Sequence, residues 1–127
     1  MGRSALSALE RRWLDDPPQS LARIATVDAT GMPHVVPGGW SFDPATEEII
    51  LGGRDVPHTQ RAVHVRASGC AAVVVDGLAP GPGWSPWAFV ARGRARVDED
   101  LGAIRLTIDD VTSWGLESVT ADAATPD

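Results

Sequence analysis

Extended runs punctuated by turn residues recur so closely in this chain that they constrain its fold more than any other feature. Leu21 to Val27 alternates apolar and polar residues, Asp28-Ala29-Thr30-Gly31 supplies a turn, and His34 to Phe42 resumes an extended pattern. Such alternation buries one face of a strand, and a short turn between two runs of this kind makes a hairpin. Asp43-Pro44-Ala45-Thr46 is a second turn and Glu48 to Gly53 a third run, so the first three strands are expected as an antiparallel meander. Cys70 to Val75 is a continuous run of small and β-branched residues, expected to be a strand buried on both faces. Phe89 to Val97 alternates again, with Val90, Arg92, Arg94 and Arg96 on one side, which predicts a strand with a largely basic outer face. Ile104 to Ile108 and Val111 to Leu116 add one more strand or a bent pair. About six strands in so short a chain predict a closed antiparallel barrel, because closure removes the edges that a small open sheet would expose.

Short helices fill the gaps. Leu6, Leu9, Trp13 and Leu14 stand at helical spacing, and Pro17-Pro18 ends the pattern, so an N-terminal helix is expected over about 4–14. Pro57 to Ala67 has the look of a second short helix, with Pro57 near its first turn. Ala79-Pro80-Gly81-Pro82-Gly83 must be a loop, and the small polar residues of 120–127 a flexible tail. The 127 residues, 43% hydrophobic, suffice for one domain around one core.

Composition narrows the function. A formal net charge of -6 gives no electrostatic case for nucleic acid or an anionic membrane. Cys70 is the single cysteine, which rules out an intrachain disulfide and thiolate metal clusters. The charged first sixteen residues do not resemble a signal peptide, and no run approaches the ~20 apolar residues of a membrane span, so a cytoplasmic location is expected.

Three segments carry chemistry. Arg54, Thr59, Gln60, Arg61 and Arg66 cluster around the second helix, where arginine forks and a helix start suit an anion; the same charges also suit a plain solvated helix face. Gly38 and Gly39, after Pro37, permit close approach to the backbone, or equally form a strand bend. Trp40 stacks on a ligand or packs into the core. The three histidines, His34, His58 and His64, have no metal-ligand spacing, and no metal site is expected; His58 or His64 offers a proton near neutral pH. There is no nucleophile motif and no phosphate-binding glycine loop, which argues against hydrolysis.

Several strings taken in order resemble one family. They are Ala22 to Asp28, Gly31-Met32-Pro33-His34-Val35-Val36-Pro37, Gly52-Gly53-Arg54-Asp55 with Thr59-Gln60-Arg61 and Val65-Arg66, Ala72 to Asp76, Arg92-Gly93-Arg94-Ala95, and Val111 to Leu116. Over about Leu21 to Leu116 the chain resembles the actinobacterial pyridoxamine 5'-phosphate oxidase-like proteins. The resemblance implies a mainly β, six-stranded antiparallel split β-barrel and a homodimer with a cleft between subunits. Each cleft takes FMN or the deazaflavin coenzyme F420, with Arg54, Thr59, Gln60, Arg61 and Arg66 at its phosphate and Pro37 and Gly38 against its ring.

The chain also departs from the pattern. Relatives carry a lysine at the position assigned to Gln60, and two arginines and a glutamate where Ser85, Trp87 and Val90 stand. The expected substrate pocket is therefore aromatic, built from Trp40, Trp84 and Trp87, and takes a flat or hydrophobic small molecule. The expected function is a flavin- or F420-dependent oxidoreductase. The alternatives are a cofactor-free protein that binds a hydrophobic biosynthetic intermediate in cyclase or isomerase fashion, and a haem or tetrapyrrole binder.

Overall fold

Eight strands and two α-helices organise residues 2–120, the part of the chain that the computed structural model describes. The strands are β1 (Ala22–Val27), β2 (Pro33–Gly38), β3 (Trp40–Asp43), β4 (Glu48–Leu51), β5 (Cys70–Leu78), β6 (Pro86–Asp98), β7 (Ala103–Thr107) and β8 (Asp110–Trp114). The helices are α1 (Ala8–Asp15) and α2 (Gln60–Ser68), and all strand pairing is antiparallel. Apart from Thr120, the tail expected over 120–127 lies outside the described residues.

The count is eight where six were expected, for two reasons. The run from His34 to Phe42 breaks at Gly39, so β2 pairs with β1 while β3 pairs with β4. Beyond β6 the chain makes two strands, and both pair with β6: β7 along Ala95 to Asp98, β8 along Ala88 to Arg92. The changeover falls at Gly93, where a Cβ would sit 1.9 Å from the Thr107 carbonyl oxygen. The ladder runs β2-β1-β5-β6-β7-β4-β3, with β8 beside β6. No ladder joins β2 to β3 among the described residues, so the expected closure is not made by hydrogen bonds; Gly39 alone links the two ends of the path.

Other expectations shift in detail. The first helix starts at Ala8, because the Ser7 side chain accepts from Glu10 N–H while the Glu10 carboxylate accepts from Ser7 N–H, a reciprocal cap that fixes the start. Pro57 sits in a separate 3-10 turn (Val56–His58), and Thr59 caps α2 behind it. β5 is not buried on both faces: Ala71, Val73 and Val75 are buried, whereas Ala72 and Val74 lie on a half-open outer face. The basic face of β6 is neutralised, with Arg92 on Asp110, Arg94 on Asp109 and Arg96 on Glu48. No described helix is long and apolar enough to cross a membrane.

The core fills the space between the sheet's inner face and α1. Trp13, fully buried, stacks on Phe89 at 5.2 Å and on Trp40 at 5.6 Å and meets Trp87 at 5.7 Å. The two outer faces differ in kind. Over β3, β4, β6 and β7, Arg105 bridges Asp43, Glu48 and Asp98 in a charged lattice. Over β2, β1, β5 and β6 the outer face carries an apolar patch, with Val35, Ala25, Ala72, Val74 and Val90 around a shallow hollow that Arg23 also lines, flanked by the Arg23–Asp76 and Arg92–Asp110 ion pairs.

Candidate functional site

β2 is exposed from Pro33 to Pro37 and pairs on one side only. Two prolines, which cannot donate to a ladder, suit such an edge. Where β2 gives way to β3, the Gly52 N–H donates to the Gly39 carbonyl, which draws the end of β4 against the bend. A Cβ at Gly38 would lie 2.9 Å from Ile24 Cδ1, the movable end of that side chain, and at ordinary contact distance, 3.8 Å, from the Gly52 oxygen.

α2 delivers Arg61 to this point. One terminal nitrogen of Arg61 donates weakly to the Gly52 carbonyl at 3.4 Å, and the same nitrogen lies 2.7 Å from where a Gly53 Cβ would be. Gly53 has φ +147°. That backbone angle favours glycine, and the movable end of the Arg61 guanidinium lies across it. The Arg61 Nε is buried and has no hydrogen-bond partner. A buried guanidinium N–H without an acceptor is costly unless an anion supplies one.

The structure brings some of the sequence-predicted residues together and separates others. Arg54 lies exposed in the turn after Gly53. Pro37 and Gly38 join Arg61 through the Gly39–Gly52 contact. The Thr59 hydroxyl is committed to α2, donating to the Val56 carbonyl at 2.7 Å and accepting from Ala62 N–H. Gln60 is exposed on the first residue of α2, so the inward-turning cation is its neighbour Arg61. Arg66 projects elsewhere and pairs with Glu99 at 2.7 Å.

The three tryptophans part company. Trp40 and Trp87 both pack on Trp13, Trp87 being only 5% exposed. Trp84 is 79% exposed in the loop between β5 and β6. It borders a hollow of about 290 Å³ with Leu78, Ala88 and Trp114, and the edge of Trp87 reaches the same hollow. Trp114 went unsingled in the sequence because nothing in Val111 to Leu116 distinguishes a residue aimed outward from one aimed into the core.

The histidines form an arrangement that spacing did not reveal. His64 is buried on α2, its Nδ1 2.8 Å from Thr26 Oγ1, and its ring centre is 4.5 Å from that of His34. His34 Nε2 in turn meets Asp28 at 2.9 Å. The Thr30 hydroxyl, then His34, hold the Asp28 carboxyl well below the usual range. His58 is exposed, and the Asp55 carboxylate raises its pKa. Among the described residues no three His, Cys, Asp or Glu side chains are arranged to hold a metal ion.

An open β edge, a glycine bend and an arginine with an unused buried donor meet at one end of the sheet. Comparisons with known proteins bear on the class of the chain. No family model matches the sequence. The chain is 37% identical over 89 residues to the F420H(2)-dependent biliverdin reductase of Mycobacterium tuberculosis, a match covering 67% of this chain and 56% of that protein. The chain thus spans little more than half the length of that relative. In structure it is similar to a conserved hypothetical protein of Mycobacterium tuberculosis, with TM-score 0.66, 13% identity and coverage of 97% of this chain and 93% of the other. It is also similar to an FAD-binding protein of Mesorhizobium loti, with TM-score 0.63, 19% identity and coverage of 89% and 96%. At such identities these two likenesses speak to the fold. The chain belongs to the pyridoxamine 5'-phosphate oxidase-like family of split-barrel proteins.

Proposed function

We propose that this chain is a flavin- or deazaflavin-dependent oxidoreductase acting on a small organic substrate, and that it works as a homodimer. The observation that carries the reading is the buried, unpartnered Nε of Arg61 beside the Cβ-free backbone of Gly38, Gly39, Gly52 and Gly53. The F420H(2)-dependent reductase to which the chain is 37% identical supports the same class of chemistry.

When bound, a cofactor of this class supplies hydride transfer, and the protein's part is to hold, orient and exclude water. Arg61 offers its guanidinium charge to the phosphate end, and Arg54 adds charge from the neighbouring turn. The first turn of α2 behind Thr59 presents backbone N–H groups to the same anion. Gly38 and Gly39 let a ring lie against main chain, and the exposed edge of β2 offers it hydrogen-bonding groups. The apolar patch on the outer face over β1, β2, β5 and β6 suits a second copy, which would keep water from the site.

Titration with FMN, coenzyme F420 and haemin tests the reading. Saturable micromolar binding of FMN or F420, weakened at least ten-fold by Arg61→Ala, is the expected result. Binding of neither, or of haemin alone, defeats it.

A further inference from the structure

We propose that the hollow beside Trp84 and Trp114 is a second binding site, and that it takes a small soluble molecule carrying a quaternary ammonium group. The site shares no residue with the Arg61 end of the sheet, and nothing in it depends on a cofactor.

Strand register builds it. Asp76 pairs with Ala88 and Ala88 with Trp114, so these three stand in one row across β5, β6 and β8. Directly paired residues of neighbouring strands project from the same face. Here it is the outer face, since Val75 and Phe89, one residue along, belong to the core. The Asp76 and Trp114 backbones are two strand steps apart, about 10 Å at normal spacing. Between them Ala88 projects only a methyl group, so the hollow has a carboxylate on one side and an indole on the other. The next outward row is Leu78 with Pro86. Beyond it the Ala79 N–H donates to the Ser85 carbonyl at 2.8 Å, which closes the neck of the loop and keeps Trp84 at this end of the hollow.

The chemistry selects a cation. Asp76 is the one charged side chain lining the hollow. Arg23 pairs with one of its oxygens from β1, the strand on the other side of β5. Both partners are about half exposed, so water screens the guanidinium and a ligand in the hollow meets the carboxylate first. The next charges along β6 and β8, Arg92 and Asp110, lie four residues away and pair with each other. Trp84 is 79% and Trp114 52% exposed, which leaves indole π surface free, and indole attracts a cation more strongly than the other aromatic rings do. A neutral flat molecule would stack but leave the carboxylate unmatched, and an anion would be repelled. A primary ammonium is strongly hydrated. A methylated ammonium keeps the charge, gives up water more readily and offers its methyl groups to Leu78, Ala88 and Val74.

Titration of choline into the full chain, by calorimetry in amine-free buffer, tests the site. Saturable binding with a Kd of about 1 mM or tighter is expected. The uncharged carbon isostere, with a tert-butyl group in place of the trimethylammonium, should bind at least about five-fold more weakly. Trp84→Ala/Trp114→Ala should weaken choline by about five-fold or more, and Trp84→Ala alone, in the exposed loop, by about two-fold or more with melting unchanged. Asp76→Asn should also weaken it, because the carboxylate goes and Arg23 is freed to repel, whereas Arg23→Gln should not. Absent binding, equal binding of the isostere, or a choline affinity that survives the double substitution overturns the site. Binding to phosphatidylcholine vesicles without binding of free choline overturns the assignment to a soluble molecule. The oxidoreductase reading stands or falls by its own titration.

Discussion

Replacing Glu10 with glutamine changes one atom in a side chain that is fully buried, and the structure gives the cost. One carboxylate oxygen accepts from Ser7 N–H at 2.8 Å and Arg3 Nη1 at 3.1 Å; the other accepts from the Ser113 hydroxyl and Arg3 Nη2, each at 2.5 Å. Every partner is a donor, and an amide turns one acceptor into another donor. The least harmful placement sets the new NH2 towards Ser113, whose hydroxyl can rotate to accept, and leaves Arg3 with one unmatched bond. Losing charge-assisted bonds at a buried site costs about 2–3 kcal/mol. Glu10→Ala removes the helix cap as well and should cost about 3–4 kcal/mol. For a chain of this size the glutamine variant should melt roughly 10 °C lower. Thermal unfolding followed by circular dichroism, with urea titration for the free energy, reads both. Burial alone would raise the Glu10 pKa, but the bonds from Arg3, Ser113 and Ser7 outweigh it and hold the carboxyl below its ordinary range. That stabilisation is present above the unfolded pKa of about 4.3 and is lost as pH falls through the folded value. A loss under about 0.5 kcal/mol in both variants would refute the claim that Glu10 ties α1, and with it Trp13, to β8.

Three further outcomes follow from the same geometry. Gly93→Ala drives a Cβ to 1.9 Å from the Thr107 carbonyl, backbone against side chain with nothing flexible to yield, so the variant should not accumulate as folded protein; normal yield and melting would contradict the crossing at Gly93. Trp13→Ala empties the centre of the aromatic cluster and should cost about 3–5 kcal/mol in urea titration, whereas a cost near 1 kcal/mol would mean that the cluster collapses onto the gap. Acidification should erode stability, because Arg94 holds Asp109 down to about 2 and Arg105 holds Asp98 low. Both contributions are present above the unfolded carboxylate value of about 3.9 and vanish as pH falls. A urea midpoint unchanged between about pH 5 and about pH 2 would sink this account.

What the sequence disclosed followed from how local each signal is. Strand positions could be read because alternation and turn residues act within a few residues; β1, β2, β4 and β5 begin or end close to the expected places. The break at Gly39 could not, because a glycine between two extended runs looks the same whether the strand bends or changes partners. The basic stripe on β6 misled, since Asp109, Asp110 and Glu48, which neutralise it, lie 15, 18 and 48 residues away from their arginines. At the site, the tie between Pro37-Gly38 and Arg61 depends on one long-range hydrogen bond, Gly52 to Gly39. The split of the tryptophans into Trp13's neighbours and the exposed Trp84 and Trp114 depends on which way β6 and β8 face, which composition does not encode. The contact between His34 and His64 came from the docking of α2 on β1 and β2 and had no local signature.

The distribution of the five tryptophans, with no tyrosine beside them, has an optical consequence. Near-ultraviolet emission comes wholly from indoles, and those indoles fall into two environments. Trp13, Trp40 and Trp87 lie within 6 Å of one another through Trp13, close enough to exchange excitation, and should emit as one blue, iodide-resistant pool. Trp84 and Trp114, wet on the surface, should form a second, red, iodide-sensitive pool. The chain therefore carries two independent native reporters, one following the integrity of its interior and the other following whatever covers its outer margin.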